Sequence, residues 1–229
     1  MLAIRPSEER GTNKLSWLDT KFTFSFDQYY DPKHVHFRSL RVLNEDVVAA
    51  GQGFGMHPHQ DMEILTWIIE GALQHKDSMG TTAVIRPGEL QHMTAGTGVL
   101  HSEFNPSSKE PVHLLQIWIM PERRGLKPAY EQLAFSDADL RNKLHHVAGP
   151  DAPVTIRQDA NLYIGRLDAG VKVAQKIDSG RHAWIQVARG SVIVNANALK
   201  AGDGVAVSNE SKVEIEAKDA SEVLVFDLV

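Results

Sequence analysis

An all-β fold of two related units is the architecture this sequence predicts, and three observations carry it. Short apolar runs rich in Ile, Val, Leu and aromatics recur between Gly, Pro and Asp, the pattern of strands separated by turns. A series of strand, glycine, strand and Gly-acid turn occurs twice. Two pairs, His57-Pro58-His59 and His101-Ser102-Glu103, place metal-capable side chains at i and i+2, the spacing of one strand face.

Taken in order, the strand candidates are Phe22 to Phe26, Ile64 to Ile69, Leu114 to Met120, Ala183 to Val187, Ser191 to Val194 and Glu222 to Leu228. Only Ala129 to Leu144 reads as partly helical, with Leu133, Leu140 and Leu144 among charged residues. A sandwich or barrel follows. The repeat matches Leu65-Thr66-Trp67-Ile68-Ile69-Glu70-Gly71, with its later Pro87-Gly88-Glu89, to Trp184-Ile185-Gln186-Val187-Ala188-Arg189-Gly190, with its later Ala201-Gly202-Asp203. Its glycines suit turn positions that need a positive φ. The expected domains are 1–135, which carries the histidine pairs, and 145–229, which does not. The join is expected near Gly149-Pro150-Asp151-Ala152-Pro153.

Composition removes several function classes. The chain has 229 residues, enough for one large domain or two small ones. It has no cysteine, which excludes disulfides, zinc-thiolate sites and thiol nucleophiles. The net charge of −5 contains no block of like charge and gives no electrostatic case for nucleic acid or an acidic membrane. No apolar run approaches the roughly 18 residues of a membrane span, and Met1 to Lys14 has no apolar signal region. A soluble cytoplasmic protein is the default expectation.

On a strand, residues i and i+2 stand roughly 6.5–7 Å apart, and neighbouring strands about 4.8 Å apart. Side chains of His and Glu length can converge across such gaps on one ion at about 2.0–2.2 Å. If the two pairs lie on approaching strands, three imidazoles and one carboxylate meet. A sulfur-free set of three nitrogens and one oxygen suits Fe, Mn, Co, Ni, Cu or Zn. Four protein ligands on a six-coordinate ion would leave two open positions. Phe54, Met56, Met93 and Phe104 are candidates for an apolar pocket wall, although core packing accounts for them equally.

The remaining histidines read differently. His34-Val35-His36 follows the turn signal Asp31-Pro32-Lys33 and is expected in a surface loop. His75, His92 and His113 lie in or beside barrel strands and could line the pocket, although solvent exposure or local hydrogen bonding is the expectation. His145 and His146 are adjacent and would face opposite sides of a strand. His182 stands alone in the second repeat, so that repeat is expected to bind no metal.

Gly51-Gln52-Gly53-Phe54-Gly55-Met56-His57-Pro58-His59, followed by Glu63 and Gly71, resembles the first cupin motif. Gly96-Thr97-Gly98-Val99-Leu100-His101-Ser102-Glu103-Phe104-Asn105 is similar to the second, with Gly96 where that motif usually carries proline. The match narrows to the pirins through Asp61-Met62-Glu63, Leu73-Gln74-His75-Lys76-Asp77-Ser78, Pro87-Gly88-Glu89-Leu90-Gln91, Thr94-Ala95-Gly96-Thr97-Gly98 and Gln116-Ile117-Trp118-Ile119. It is strong over roughly residues 10 to 130 and diffuse afterwards. It is nearest to the shorter bacterial, quercetin 2,3-dioxygenase-like pirins.

The resemblance implies two cupin (jelly-roll) barrels packed together, the second degenerate. It implies His57, His59, His101 and Glu103 as ligands of one ion, with Fe(II) expected and Ni, Co, Mn, Cu and Zn as alternatives. Generic cupins use the carboxylate that matches Glu63, which leaves Glu63 a role behind the ligands or at the barrel rim here. The activity implied is a dioxygenase that cleaves a flavonol-like aromatic enol with O₂, carbon monoxide leaving, with Glu103 accepting the substrate's proton. A different implication is a metal-dependent regulatory module with a protein partner, since eukaryotic pirins are linked with transcriptional co-regulation. A third is a metal isomerase or hydrolase on the same fold. A monomer is expected.

Overall fold

The structure is a computed structural model that describes residues Met1–Val229. The chain divides into two compact units, Gly11–Ala134 and a second formed by Met1–Arg10 with Phe135–Val229. The strands of the first half are β1 (Leu2–Arg5), β2 (Gly11–Lys14), β3 (Leu18–Phe22), β4 (Leu40–Val48), β5 (Gly53–Glu70), β6 (Leu73–Asp77), β7 (Thr82–Ile85), β8 (Glu89–Phe104), β9 (Val112–Ile119) and β10 (Ala129–Ala134). Those of the second half are β11 (His145–Gly149), β12 (Val154–Thr155), β13 (Ala160–Leu167), β14 (Lys172–Lys176), β15 (His182–Arg189), β16 (Ser191–Val194), β17 (Asn197–Lys200), β18 (Gly204–Val207), β19 (Lys212–Ala217) and β20 (Ser221–Leu228). The fold is nearly all β, as the sequence predicts, and no helix is long and apolar enough to cross a membrane.

The Gly11–Ala134 unit is a continuous sheet in the order β2-β3-β4-β9-β5-β8-β6-β7, with β10 added on β8. Its spine is the pair β5 and β8, of 18 and 16 residues. The two halves of β5 have different jobs. Glu63–Ile69 pairs with β8 on one side and β9 on the other and is buried on both faces, and it is that two-faced burial that makes Ile64-Leu65-Thr66-Trp67-Ile68-Ile69 run apolar rather than alternating. The half around His57 pairs with β8 alone. Pro58 is tolerated there because no second neighbour needs its missing N–H. Register shifts between Phe54 and His57 and between His59 and Asp61 bend the strand locally.

Gly96 explains its own departure from the cupin pattern. Its φ is +49°, and a Cβ would stand 2.0 Å from the Leu126 carbonyl oxygen, which accepts the Thr97 N–H at 2.9 Å. Proline is confined to φ near −65°, so it cannot take this path. Gly96→Ala is expected to cost on the order of 1–3 kcal/mol, read as a fall in Tm of about 2–12 °C for a chain of this size. An unchanged Tm would remove this account.

The second unit has a seven-stranded sheet, β1-β18-β15-β20-β13-β11-β12, and a four-stranded one, β14-β19-β16-β17. Ile185, Val187, Val205, Val223 and Val225 of the first sheet meet Val192, Val194, Leu199, Val213 and Ile215 of the second in one core. The internal repeat is structural. Gly71 and Gly190 end corresponding strands with φ of +81° and +73°. In the Gly-acid turns, Glu89 Oε2 accepts the Arg86 N–H at 2.7 Å and Asp203 Oδ2 accepts the Lys200 N–H at 2.9 Å.

Four expectations shift. Ala129 to Leu144 is mostly strand β10 and a loop, with only a single turn of helix at Asp137–Leu140; pairing of Glu131 opposite His92 on β8 overrides its helical spacing. The strand expected at Phe22 to Phe26 lies earlier, at Leu18–Phe22, and Phe24 is buried from the loop that follows. Gly149 to Pro153 is a turn inside the second unit rather than a join, because β11 and β12 flank it and pair in parallel. Residues 1–10 belong to the second unit, not to a 1–135 domain, because β1 adds to β18 through Leu2↔Val207 and Arg5↔Gly204.

Candidate metal centre

The register of β5 on β8 places His57 opposite His101 and Phe54 opposite Glu103. The rings of His57, His59 and His101 have centroids 4.4–4.7 Å apart, and one ring nitrogen from each lies within 4.8 Å of the others. His101 Nε2 is 3.0 Å from His57 Nε2 and 4.0 Å from Glu103 Oε2. Glu103 falls in a group of its own with His101 and His75, its ligand atoms also within 4.8 Å. Gln116 Nε2 donates to both Glu103 oxygens at 3.1 Å.

The chemistry of these contacts fits a cation. His57 Nδ1 lies 2.7 Å from the Gly55 carbonyl oxygen; a carbonyl only accepts, so Nδ1 carries the proton and Nε2 keeps a lone pair. That lone pair faces His101 at 3.0 Å. Two ligands at about 2.1 Å from a shared ion stand about 3 Å apart at right angles and about 4.2 Å apart when opposed, the range spanned by the distances to His101. Burial, with neighbouring imidazoles adding to it, pushes His101 down to about 2 and His59 to about 4, so both are neutral. Burial pushes the Glu103 carboxyl up to about 7; the Gln116 hydrogen bonds oppose the shift and Asp46 adds to it.

The centre opens into a cavity of about 420 Å³ lined by His57, His59, Glu103, Phe54, Trp17 and Trp118 among others, in the size range of small-molecule sites. Of the expected wall residues only Phe54 lines it. Met93 is fully buried in a core with Ile64, Ala95 and Val99, and Met56 and Phe104 are exposed. The walls missed from sequence, including Leu18, Phe22 and Phe26, come from outside both histidine motifs.

The other histidines sort by partner. His34 Nδ1 meets Asp31 and His36 Nδ1 meets the Arg38 carbonyl, each in a loop. His113 meets Glu45 at 3.0 Å, and His182 meets Ser208 at 2.8 Å. His146 meets Asn161 and stacks on Tyr163. His75 overturns the expectation of exposure or purely local bonding: it is fully buried, with Nδ1 3.4 Å from His101 Nδ1. The pairing of β6 with β8 is what brings it there, a placement its own sequence does not announce.

Glu63 is fully buried and bonded elsewhere, to His92 Nε2 at 2.8 Å and Thr94 Oγ1 at 3.2 Å. The other face of His92 meets Glu131 on β10 at 3.3 Å. Burial alone would depress His92, but hydrogen bonds to Glu131 and Glu63 outweigh it and raise the imidazole above its ordinary 6.5. A raised histidine stabilises the fold below its unfolded pKa and loses that contribution as pH climbs through the folded value. The stability deficit of Glu131→Gln should therefore be largest near about pH 6 and shrink in alkali. Melting curves across pH would check this; a deficit that grows in alkali would contradict it.

Comparison with known proteins places this architecture. The Pirin family model matches residues 3–119, and the Quercetinase C-terminal cupin domain matches 147–228. The chain belongs to the pirin family. Quercetin 2,3-dioxygenase of Escherichia coli (strain K12) is 46% identical over 228 residues, spanning 100% of this pirin and 99% of the relative. The crystal structure of YhhW from Escherichia coli superposes with a TM-score of 0.96 at 46% identity, covering 100% of this chain and 98% of that one. A second structure, the bacterial pirin YhhW in complex with nickel(II), gives 0.95 at 46% identity, covering 100% and 99%. The two family models between them account for both cupin-type domains of this pirin.

Proposed function

We propose that this pirin is a dioxygenase acting on flavonol-like aromatic enols, with one divalent transition-metal ion held by His57, His59, His101 and Glu103. The observation that carries it is the convergence of three imidazoles beside a buried carboxylate at the wall of an aromatic-lined cavity. The name of the 46%-identical relative supports the substrate class. When present, the ion supplies Lewis acidity toward an ionising hydroxyl and redox access to O₂.

The chain's own residues do the rest. Trp17, Phe22, Phe26 and Phe54 give flat apolar walls for a planar ring system. Among them, Thr20 Oγ1, Asn44 Oδ1 and Trp118 Nε1 are buried without a hydrogen-bond partner, a donor and acceptors matched to the hydroxyl and carbonyl groups of a polyhydroxylated ring. Such groups reward a ligand that satisfies them and penalise one that does not. Glu103, buried at the cavity wall and held by Gln116, is placed to take the substrate's enol proton. Orienting and ionising the enol against these apolar walls supplies much of the rate advantage.

The test is anaerobic reconstitution with Fe(II), Ni, Co, Mn, Cu and Zn in turn, then oxygen uptake across a panel of flavonols and enediols. Turnover of flavonols with at least one metal is the expected result. Inactivity with every metal, together with co-purification of a cellular protein, would overturn the reading in favour of a regulatory module.

A further inference from the structure

We propose that Asp77 and His75 form a polarity-fixing relay that sets the tautomer of His101 and turns its Nε2 lone pair toward the metal centre. The inference rests on that centre but not on flavonol chemistry. His75-Lys76-Asp77 is a third i, i+2 pair: β6 pairs with β8 so that His75 lies opposite Glu103 and Asp77 opposite His101. The side chains of both His75 and Asp77 are completely buried.

The proton positions follow from groups that can only accept or only donate. Asp77 Oδ1 accepts the backbone N–H of Met79 at 2.9 Å and of Thr81 at 3.0 Å. Its Oδ2 lies 3.0 Å from His75 Nε2. A carboxylate only accepts, so the His75 proton sits on Nε2, and its Nδ1 is an acceptor in the neutral ring. That Nδ1 is 3.4 Å from His101 Nδ1, so the proton between the two rings belongs to His101. His101 Nε2, the nitrogen 3.0 Å from His57 Nε2, is left with its lone pair. The Tyr130 ring, 4.9 Å from His75 at 33°, holds the relay's plane. His57 gets the same orientation from a backbone carbonyl; His101 gets it from a carboxylate one ring away, which also raises its basicity as a ligand.

Asp77→Asn reverses the relay. The two backbone N–H groups keep the side-chain oxygen, so the new NH₂ must face His75 Nε2. His75 then carries its proton on Nδ1, and His101 is driven to the tautomer with a proton on Nε2. Asp77→Asn is expected to bind nickel about 10–100-fold more weakly than wild type while melting as wild type does. Long-range ¹⁵N NMR of the histidine rings in the zinc-loaded wild type should show His75 protonated at Nε2 and His101 at Nδ1. Wild-type His75 protonated at Nδ1 would overturn the relay even if the variant fails to fold. Undiminished nickel affinity in folded Asp77→Asn would overturn it too, leaving the metal centre standing; a wild type that binds no nickel would overturn both.

Discussion

Replacing His101 by alanine should strip the metal from the protein while both units stay folded. His101 sits between two other members of the proposed ligand set, 3.0 Å from His57 Nε2 and 4.0 Å from Glu103 Oε2, so its loss removes the shared member of both candidate groups. An outer-sphere partner typically contributes about 10–100-fold in affinity; removal of a ligand should exceed that. Its neighbours are polar rings rather than a packed apolar core, so the space left can take water, and the fold should survive. His57→Ala is the companion variant, because His57 is only half-buried and its removal disturbs packing less. Metal content per chain against thermal stability is the measurement. Full metal retention in both variants would refute the site.

Glu103→Gln, loaded to wild-type metal occupancy, should lose flavonol turnover by about 10²–10⁴-fold, the usual effect of removing a general base, yet still bind flavonol. The amide keeps the carboxylate's shape and one oxygen for Gln116, but it cannot take a proton. A linked effect separates this role from packing. Glu103 stands near 7 without metal, while His59 and His101 stand near 4 and 2. At a pH just below 7 the proton that competes with a cation is therefore the one on Glu103. Metal uptake should release that proton there from the roughly half of the chains in which Glu103 carries it and strengthen as pH rises through 7. The release should vanish in Glu103→Gln. Near-normal turnover at full occupancy would remove the proposed base.

Much of this arrangement is legible in the sequence. Strand geometry alone puts His57 with His59 and His101 with Glu103 on shared faces, because alternation is a local property of extended chain. The repeat was equally legible, since left-handed turns select glycine at Gly71 and Gly190 whatever surrounds them. Other features misled for equally physical reasons. Leu133, Leu140 and Leu144 have helical spacing, yet β10 gains its hydrogen bonds from β8. His75 has the look of an ordinary strand histidine, and nothing within its own strand reveals that β8 will carry His101 beside it.

The sequence by itself determined which side chains share a strand face, where the tight turns fall, and that cysteine chemistry plays no part. Tertiary structure alone decided that β5 and β8 pair with His57 opposite His101, and that β6 brings His75 opposite Glu103 and Asp77 opposite His101. It alone decided that Thr20, Asn44, Gln116 and Trp118, from strands outside the histidine motifs, line the cavity. It also decided that the first ten residues complete the second unit's sheet. The reason is one of range: facing is fixed by backbone alternation over two residues, whereas register and strand order are fixed by burial and hydrogen bonding between segments far apart in the chain.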